Sequence, residues 1–240
     1  MVRYAFHSGV EAEIRALLEK VRMTYEAVIF DLDGTLLDTL ADLAASVNRV
    51  LARRGFPTHD LDAYRWYIGH GSAVLIERAL PPVERSPDQI QSCLQELLDD
   101  YGRNWDILTH PYDGIPALLQ TLEDRHVAMA VVTNKPHRFA ALMTAHFFER
   151  TSFSRIMGQR DGIPKKPDPY QALSAAHAMG VAPAACIFLG DSAVDMQTAR
   201  RAGMLAVGAG WGFRPVGELW DGGAVHVLDH PLDLFPLLGR

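Results

Sequence analysis

At 240 residues with 48% hydrophobic side chains, the chain has room for one large domain or two and for a sizeable core. A net charge of -6 argues against nucleic acid or an anionic membrane as the main partner, so an anionic substrate must be held by local cations, backbone amides or a metal ion. Two cysteines exclude a disulfide framework and fit a reducing cytoplasm, and no apolar run approaches the roughly 20 residues of a membrane span.

In residues 1–22 the apolar positions Val10, Ile14, Leu17, Leu18 and Val21 share one helix face with acids between them, which predicts an amphipathic helical extension rather than a signal peptide. The run Val28-Ile-Phe-Asp31-Leu-Asp33-Gly34 then reads as a buried parallel strand that delivers two carboxylates to its C-terminal edge. Strand side chains alternate, so Asp31 and Asp33 can join one site only because the chain leaves strand geometry at Gly34. On these residues alone an ordinary Asp-Gly turn is an equal reading.

Leu40, Leu43, Ala44, Val47, Val50 and Leu51 follow helical spacing, with Asp38 or Thr39 placed to cap the start and Gly55 near the stop. Helical pieces follow around Asp60–Ile68, Ser72–Leu80 and Asp88–Trp105, with no convincing strand before His110. Residues 40–110 are therefore expected to form a small all-helical second domain inserted after the first strand. Residues 23–39 and 111–240 form the α/β core, with crossings near Leu37–Leu40 and His110–Gly114.

Beyond the insert, helices are expected at Ile115–Glu123, Arg138–Phe148, Tyr170–Met179 and Ala193–Ala202, with a short one at the C-terminus. Strands are expected at Val127–Val132, Arg155–Gly158, Ala185–Leu189, Leu205–Val207 and Val225–Leu228. Alternation with near-continuous apolar strands predicts a Rossmann-like parallel sheet covered by helices on both faces, whose ligands bind at the carboxyl ends of the strands. At those ends stand Asp31 and Asp33, Thr133-Asn134-Lys135, and Gly190-Asp191-Ser192 with Asp195 four residues on, while another loop carries Lys165-Lys166-Pro167.

These segments resemble, in order, the four motifs of the haloacid dehalogenase superfamily: Asp31-Leu-Asp33-Gly-Thr35, Thr133-Asn134, Lys166-Pro and Gly190-Asp191-Ser-Ala-Val-Asp195. The resemblance spans Ala27 to about Asp233, and Val132-Thr-Asn-Lys-Pro136, Thr198-Ala-Arg-Arg-Ala-Gly203-Met and Trp211-Gly look like its phosphoglycolate phosphatase branch. It implies a phosphatase that acts on a small phosphate ester, 2-phosphoglycolate above all, with Asp31 as nucleophile and Asp33 as general acid and base. Thr133, Asn134 and Lys166 are then expected around the phosphoryl group. Asp31, Asp191 and the main-chain carbonyl of Asp33 are expected to ligate Mg²⁺, with Asp195 in its first or second shell.

The insert at 40–110 resembles the helical cap of that family, which must recognise the rest of the substrate, and Gly69-His70-Gly71 is its expected contact loop, against the reading of a plain turn with a solvated His. Lys165 stands beside the working lysine, Lys135 and His137 read as facing substrate or, at least equally, as solvated surface, and Asp38 as a helix cap or hinge. No pair of the ten histidines has zinc-ligand spacing. The rival readings are a phosphosugar mutase, a pyrophosphatase or nucleotidase, and a non-catalytic binding module, and the assembly state expected is monomer or homodimer.

Overall fold

The computed structural model describes residues 25–239, so the expected helix at 1–22 lies outside the described residues. Strand β1 (Ala27–Phe30) is fully buried and pairs in parallel on both sides, with β4 (Ala128–Pro136) and β6 (Cys186–Gly190). Four consecutive apolar residues satisfy that position because neither face of a central parallel strand meets water. Side chains alternate across it: Val28 and Phe30 join one core cluster, Ala27 and Ile29 the other. Each large apolar side chain so buried stabilises the fold by about 1.5–3 kcal/mol before entropy is charged against it.

With β5 (Arg155–Gln159), β7 (Leu205–Ala209) and β8 (His226–Leu228) the sheet has six strands, all parallel, in the order β5-β4-β1-β6-β7-β8. The order reverses at β1, so crevices open at the carboxyl ends of β1, β4 and β6, where ligands of such sheets bind.

Strand β4 runs to Pro136, so Thr133, Asn134 and Lys135 lie within it rather than after its end at Val132. A two-residue antiparallel pair that local pattern does not announce, β2 (Leu37–Asp38) with β3 (His110–Pro111), clips together the two crossings of the insert.

Between the crossings stand four α-helices, α1 (Leu40–Arg53), α2 (Leu61–Tyr67), α3 (Ser72–Ala79) and α4 (Pro87–Asn104), with a short 3-10 turn at Pro82–Glu84. Buried Leu40, Leu43, Val47, Val50 and Leu51 form one stripe of α1. On its other side Arg49 and Arg53 clamp Asp100 of α4, at 2.6 and 2.9 Å. At the second crossing, buried Asp42 accepts the backbone N–H groups of Leu108 and Thr109 and the Thr109 hydroxyl.

Helices α5 (Ile115–Asp124), α6 (His137–Phe147), α7 (Tyr170–Met179) and α8 (Ala193–Ala202) complete the core layers. An unexpected short helix, α9 (Val216–Gly222), stands between β7 and β8. Among the described residues no helix is long and apolar enough to cross a membrane.

Candidate active site

Asp31 directly follows β1, its N–H bound to Leu189 O, and its carboxylate Oδ1 lies 2.9 Å from Lys166 Nζ. Lys166 is buried and also reaches Asp195 Oδ1 at 2.6 Å. The second carboxylate oxygen of Asp195 accepts the Ser192 N–H, which is one half of a capping box on α8, and also the Ser192 hydroxyl. Asp191 Oδ2 accepts the N–H of Phe213 at 2.8 Å, and the Thr35 hydroxyl stands 3.5 Å from Oδ1. Gly34 packs on the Asp191 carboxylate with φ of 81°, so a side chain there would both collide and strain the backbone.

Three buried carboxylates, of Asp31, Asp191 and Asp195, thus place oxygens within 4.8 Å of one another, and among the described residues Lys166 is the cation paired with them, through Asp31 and Asp195. Burial pushes the Asp31 carboxyl up to about 6, against the pull of Lys166. Burial, then the charges of Asp195 and Asp31, hold Asp191 well above the ordinary carboxylate range. On Lys166 burial is outweighed by Asp195 and Asp31, which hold it above an ordinary lysine. Carboxylates so crowded are short of positive charge, and an oxygen-preferring divalent cation fits the donor set.

Asp33 is held apart from this cluster. Thr39 Oγ1 and Lys135 Nζ both donate to its Oδ1, each at 2.8 Å. Lys135 Nζ also donates to Tyr101 of α4 at 3.0 Å. The expectation of a solvated Lys135 is therefore corrected: it is 5% exposed, and Asp33 and Tyr101 overcome burial to raise it above an ordinary lysine. Thr39, expected as a possible helix cap, spends its hydroxyl on Asp33, whereas Asp38 accepts the N–H of Leu40.

Asn134 spans three elements: its Oδ1 accepts the N–H of Lys166 at 2.9 Å, and its Nδ2 donates to Lys166 O and to Gly69 O of the insert, both at 3.1 Å. Thr133, 2% exposed, accepts the N–H of Lys135. Gly69 and Gly71, with φ of 109° and 91°, line the cavity beside Asp31 and Asp33, together with Leu43, Leu75 and Leu97. The cavity measures about 40 Å³. His70 does not line it and instead lies 3.3 Å from Arg78, where burial and the charges of Arg78 and Arg214 lower its proton affinity. Half-buried Lys165 points to Gly71, and His137 bonds Arg160, away from the carboxylates.

Sequence reasoning missed Tyr101, Phe213 and Arg214, whose roles come from tertiary placement alone. A signal for Lys135 existed, since it shares a strand face with Thr133 two residues before it.

The haloacid dehalogenase-like hydrolase family model matches residues 28–209. The chain is 35% identical to an N-acetylmuramic acid 6-phosphate phosphatase of Pseudomonas aeruginosa, over 91% of this chain and 97% of that protein. It is 38% identical to a phosphoglycolate phosphatase of Pseudomonas putida, over 79% of this chain and 72% of that protein. The solved structure of a candidate phosphoglycolate phosphatase from Lactobacillus delbrueckii subsp. bulgaricus superposes with a TM-score of 0.84 at 29% identity, over 91% of this chain and 100% of that one.

Proposed function

This chain belongs to the haloacid dehalogenase-like hydrolases, and we propose that within that family it is a Mg²⁺-dependent phosphomonoesterase of a small carboxylate-bearing phosphate ester, 2-phosphoglycolate first. The observation that carries this reading is the division of the two aspartates after β1. Asp31 sits among Lys166, Asp191 and Asp195, while Asp33 is held separately by Thr39 and Lys135.

In this reading Asp31 attacks phosphorus, the ester P–O bond breaks, and the leaving alkoxide takes a proton from Asp33. Asp33 then takes a proton from water, whose oxygen attacks the aspartyl-phosphate and returns Asp31 and inorganic phosphate. Both donors to Asp33 end on Oδ1, which leaves Oδ2 to carry the proton.

Lys166, Thr133 and Asn134 would hold the phosphoryl oxygens and the loop around them. A bound Mg²⁺ would reduce the repulsion between the phosphoryl group and Asp31. Asp31, Asp191 and the carbonyl of Asp33 would hold it. Asp195, with both oxygens committed to Lys166 and Ser192, would orient that lysine rather than ligate.

Gly69 and Gly71 bring open backbone to the far end of the cavity, beside the first N–H groups of α3, where a substrate carboxylate could be received. A second reading, N-acetylmuramic acid 6-phosphate, is favoured by the near full-length alignment with its Pseudomonas aeruginosa phosphatase. That sugar acid also joins a phosphate ester to a carboxylate.

The test is phosphate release from 2-phosphoglycolate, N-acetylmuramic acid 6-phosphate, β-glucose 1-phosphate and 4-nitrophenyl phosphate. The highest kcat/KM is expected on 2-phosphoglycolate. Preference for the muramic acid ester would select the second reading, and an isomerised sugar phosphate without phosphate release would select a mutase.

A further inference from the structure

The segment after β7 is fixed to the catalytic edge: Trp211 Nε1 donates to Thr35 O at 3.0 Å, and the Phe213 N–H donates to Asp191 at 2.8 Å. The next residue, Arg214, is 7% exposed and points away from that edge into the insert. Its Nη2 donates to Ile68 O at 2.9 Å and stands 3.3 Å from Trp66 O, and its guanidinium lies over the Trp66 ring, 5.0 Å from the centroid. Glu218 flanks Nε at 3.7 Å and accepts the N–H of Ala193 at the start of α8.

Ile68 leaves α2 in an extended conformation, so its carbonyl cannot continue the helix and needs an outside donor. Arg214 supplies one, and Asn134 supplies the next to the adjacent carbonyl of Gly69. Two donors, one from β4 and one from the segment after β7, thus hold consecutive carbonyls of the loop that roofs the cavity. Ile68, Gly69 and Gly71 of that loop line the cavity beside Asp31 and Asp33, so the position of the loop sets the depth of the site.

We propose that Arg214 is a positioning residue that latches the insert loop Ile68–Gly71 closed over the site, so that the loop is set at the distance a substrate carboxylate requires. This rests on the phosphatase reading above. When the roof lifts, the guanidinium gives up two carbonyls and its place on Trp66. When it closes, the bonds return and the loop is tied to the same short segment that donates to Asp191.

The experiment compares wild type, Arg214→Met and Arg214→Lys on 2-phosphoglycolate and 4-nitrophenyl phosphate, with hydrogen exchange followed across residues 66–72. Loss of a charge-assisted hydrogen bond shifts a closed-open balance by about 10-fold to 100-fold. Arg214→Met is therefore expected to raise KM for 2-phosphoglycolate by about that factor, with the aryl ester, which has no carboxylate, losing at least about fivefold less in kcat/KM. Exchange across the loop is expected to speed up about tenfold. Arg214→Lys, a single compact donor, is expected to recover part of each.

Parallel losses on both substrates, or unchanged exchange, would overturn the latch. If Arg214→Met does not fold, Arg214→Lys decides alone: KM for 2-phosphoglycolate is expected to rise about threefold, and an unchanged KM overturns it. Absence of phosphate release by the wild type would sink the phosphatase reading, and loop exchange in the variants would still decide the latch.

Discussion

The ammonium of Lys135 lies 2.8 Å from Oδ1 of Asp33, and the same nitrogen donates to the hydroxyl of Tyr101 on α4 of the insert. One buried cation therefore fixes an aspartate of the core and a tyrosine of the insert at once. Burial pushes the Tyr101 hydroxyl up to about 12 despite the neighbouring ammonium, so it stays a neutral partner at working pH.

Replacing this cation by an isostere without charge, Lys135→Met, is expected to lower kcat by about 10²-fold, the lower end of what a misplaced general acid/base loses. KM should change little, because the phosphoryl group is held elsewhere. The variant should also lose stability, since breaking a buried pair by removing one partner costs about 3–5 kcal/mol. Steady-state kinetics with urea unfolding checks both. A variant with wild-type kcat would remove Lys135 from any role in holding Asp33.

The crowded carboxylates set a pH window. The Asp31 carboxyl is raised in the folded protein to about 6, above its ordinary value, so folding favours its protonated form. Without a divalent cation, stability is then lost as pH rises from about 4 to 6, because the unfolded chain gives up that proton first. A cation that binds the ionised carboxylates removes this loss. Added Mg²⁺ is thus expected to raise Tm clearly at pH 7.5 and little at pH 5, measured by thermal melts with chelator as the control. Equal shifts at both pH values, or no shift at either, would contradict a cation site at Asp31 and Asp191.

Inside the insert, burial alone would raise the Asp100 carboxyl, yet donors from Arg49 and Arg53 hold it down to about 2. Its contribution to stability is complete above about pH 4 and is lost as pH falls toward 2. Both arginines are partly solvated, so Asp100→Asn is expected to cost about 1–2 kcal/mol at pH 7 and nearly nothing at pH 2. Urea titrations at the two pH values check this, and a cost independent of pH would show that packing rather than charge joins α1 to α4.

Much of the architecture was legible because apolar strands and polar loops alternate so regularly. Val28 to Phe30 read as a buried parallel strand, and four loaded loops along such a sheet pointed to one edge. What stayed hidden depends on distant chain. The strand at Thr133 to Pro136 continues because β5 pairs with it after a register shift. The β2–β3 clip is too short for any local pattern, and the 3% exposed Asp42 reads from spacing as an ordinary first-turn acid of α1. Lys135 looked solvated because lysine usually is, and only the arrival of Asp33 and Tyr101 makes its burial tolerable. His70, by contrast, was expected against substrate by its glycine neighbours, and its ring stands 3.3 Å from Arg78 instead of lining the cavity.

The central claim is that Asp31 carries the phosphoryl group, and acid quenching during turnover tests it most directly. The protein is mixed with excess 2-phosphoglycolate and Mg²⁺, quenched within milliseconds, treated with borohydride, and mapped by peptide mass spectrometry. Borohydride reduces an acyl phosphate to the alcohol, so homoserine is expected at position 31 in the wild type and nowhere in Asp31→Asn. Phosphate release with position 31 unmodified, or with the reduction product at Asp33 or Asp191, would contradict it.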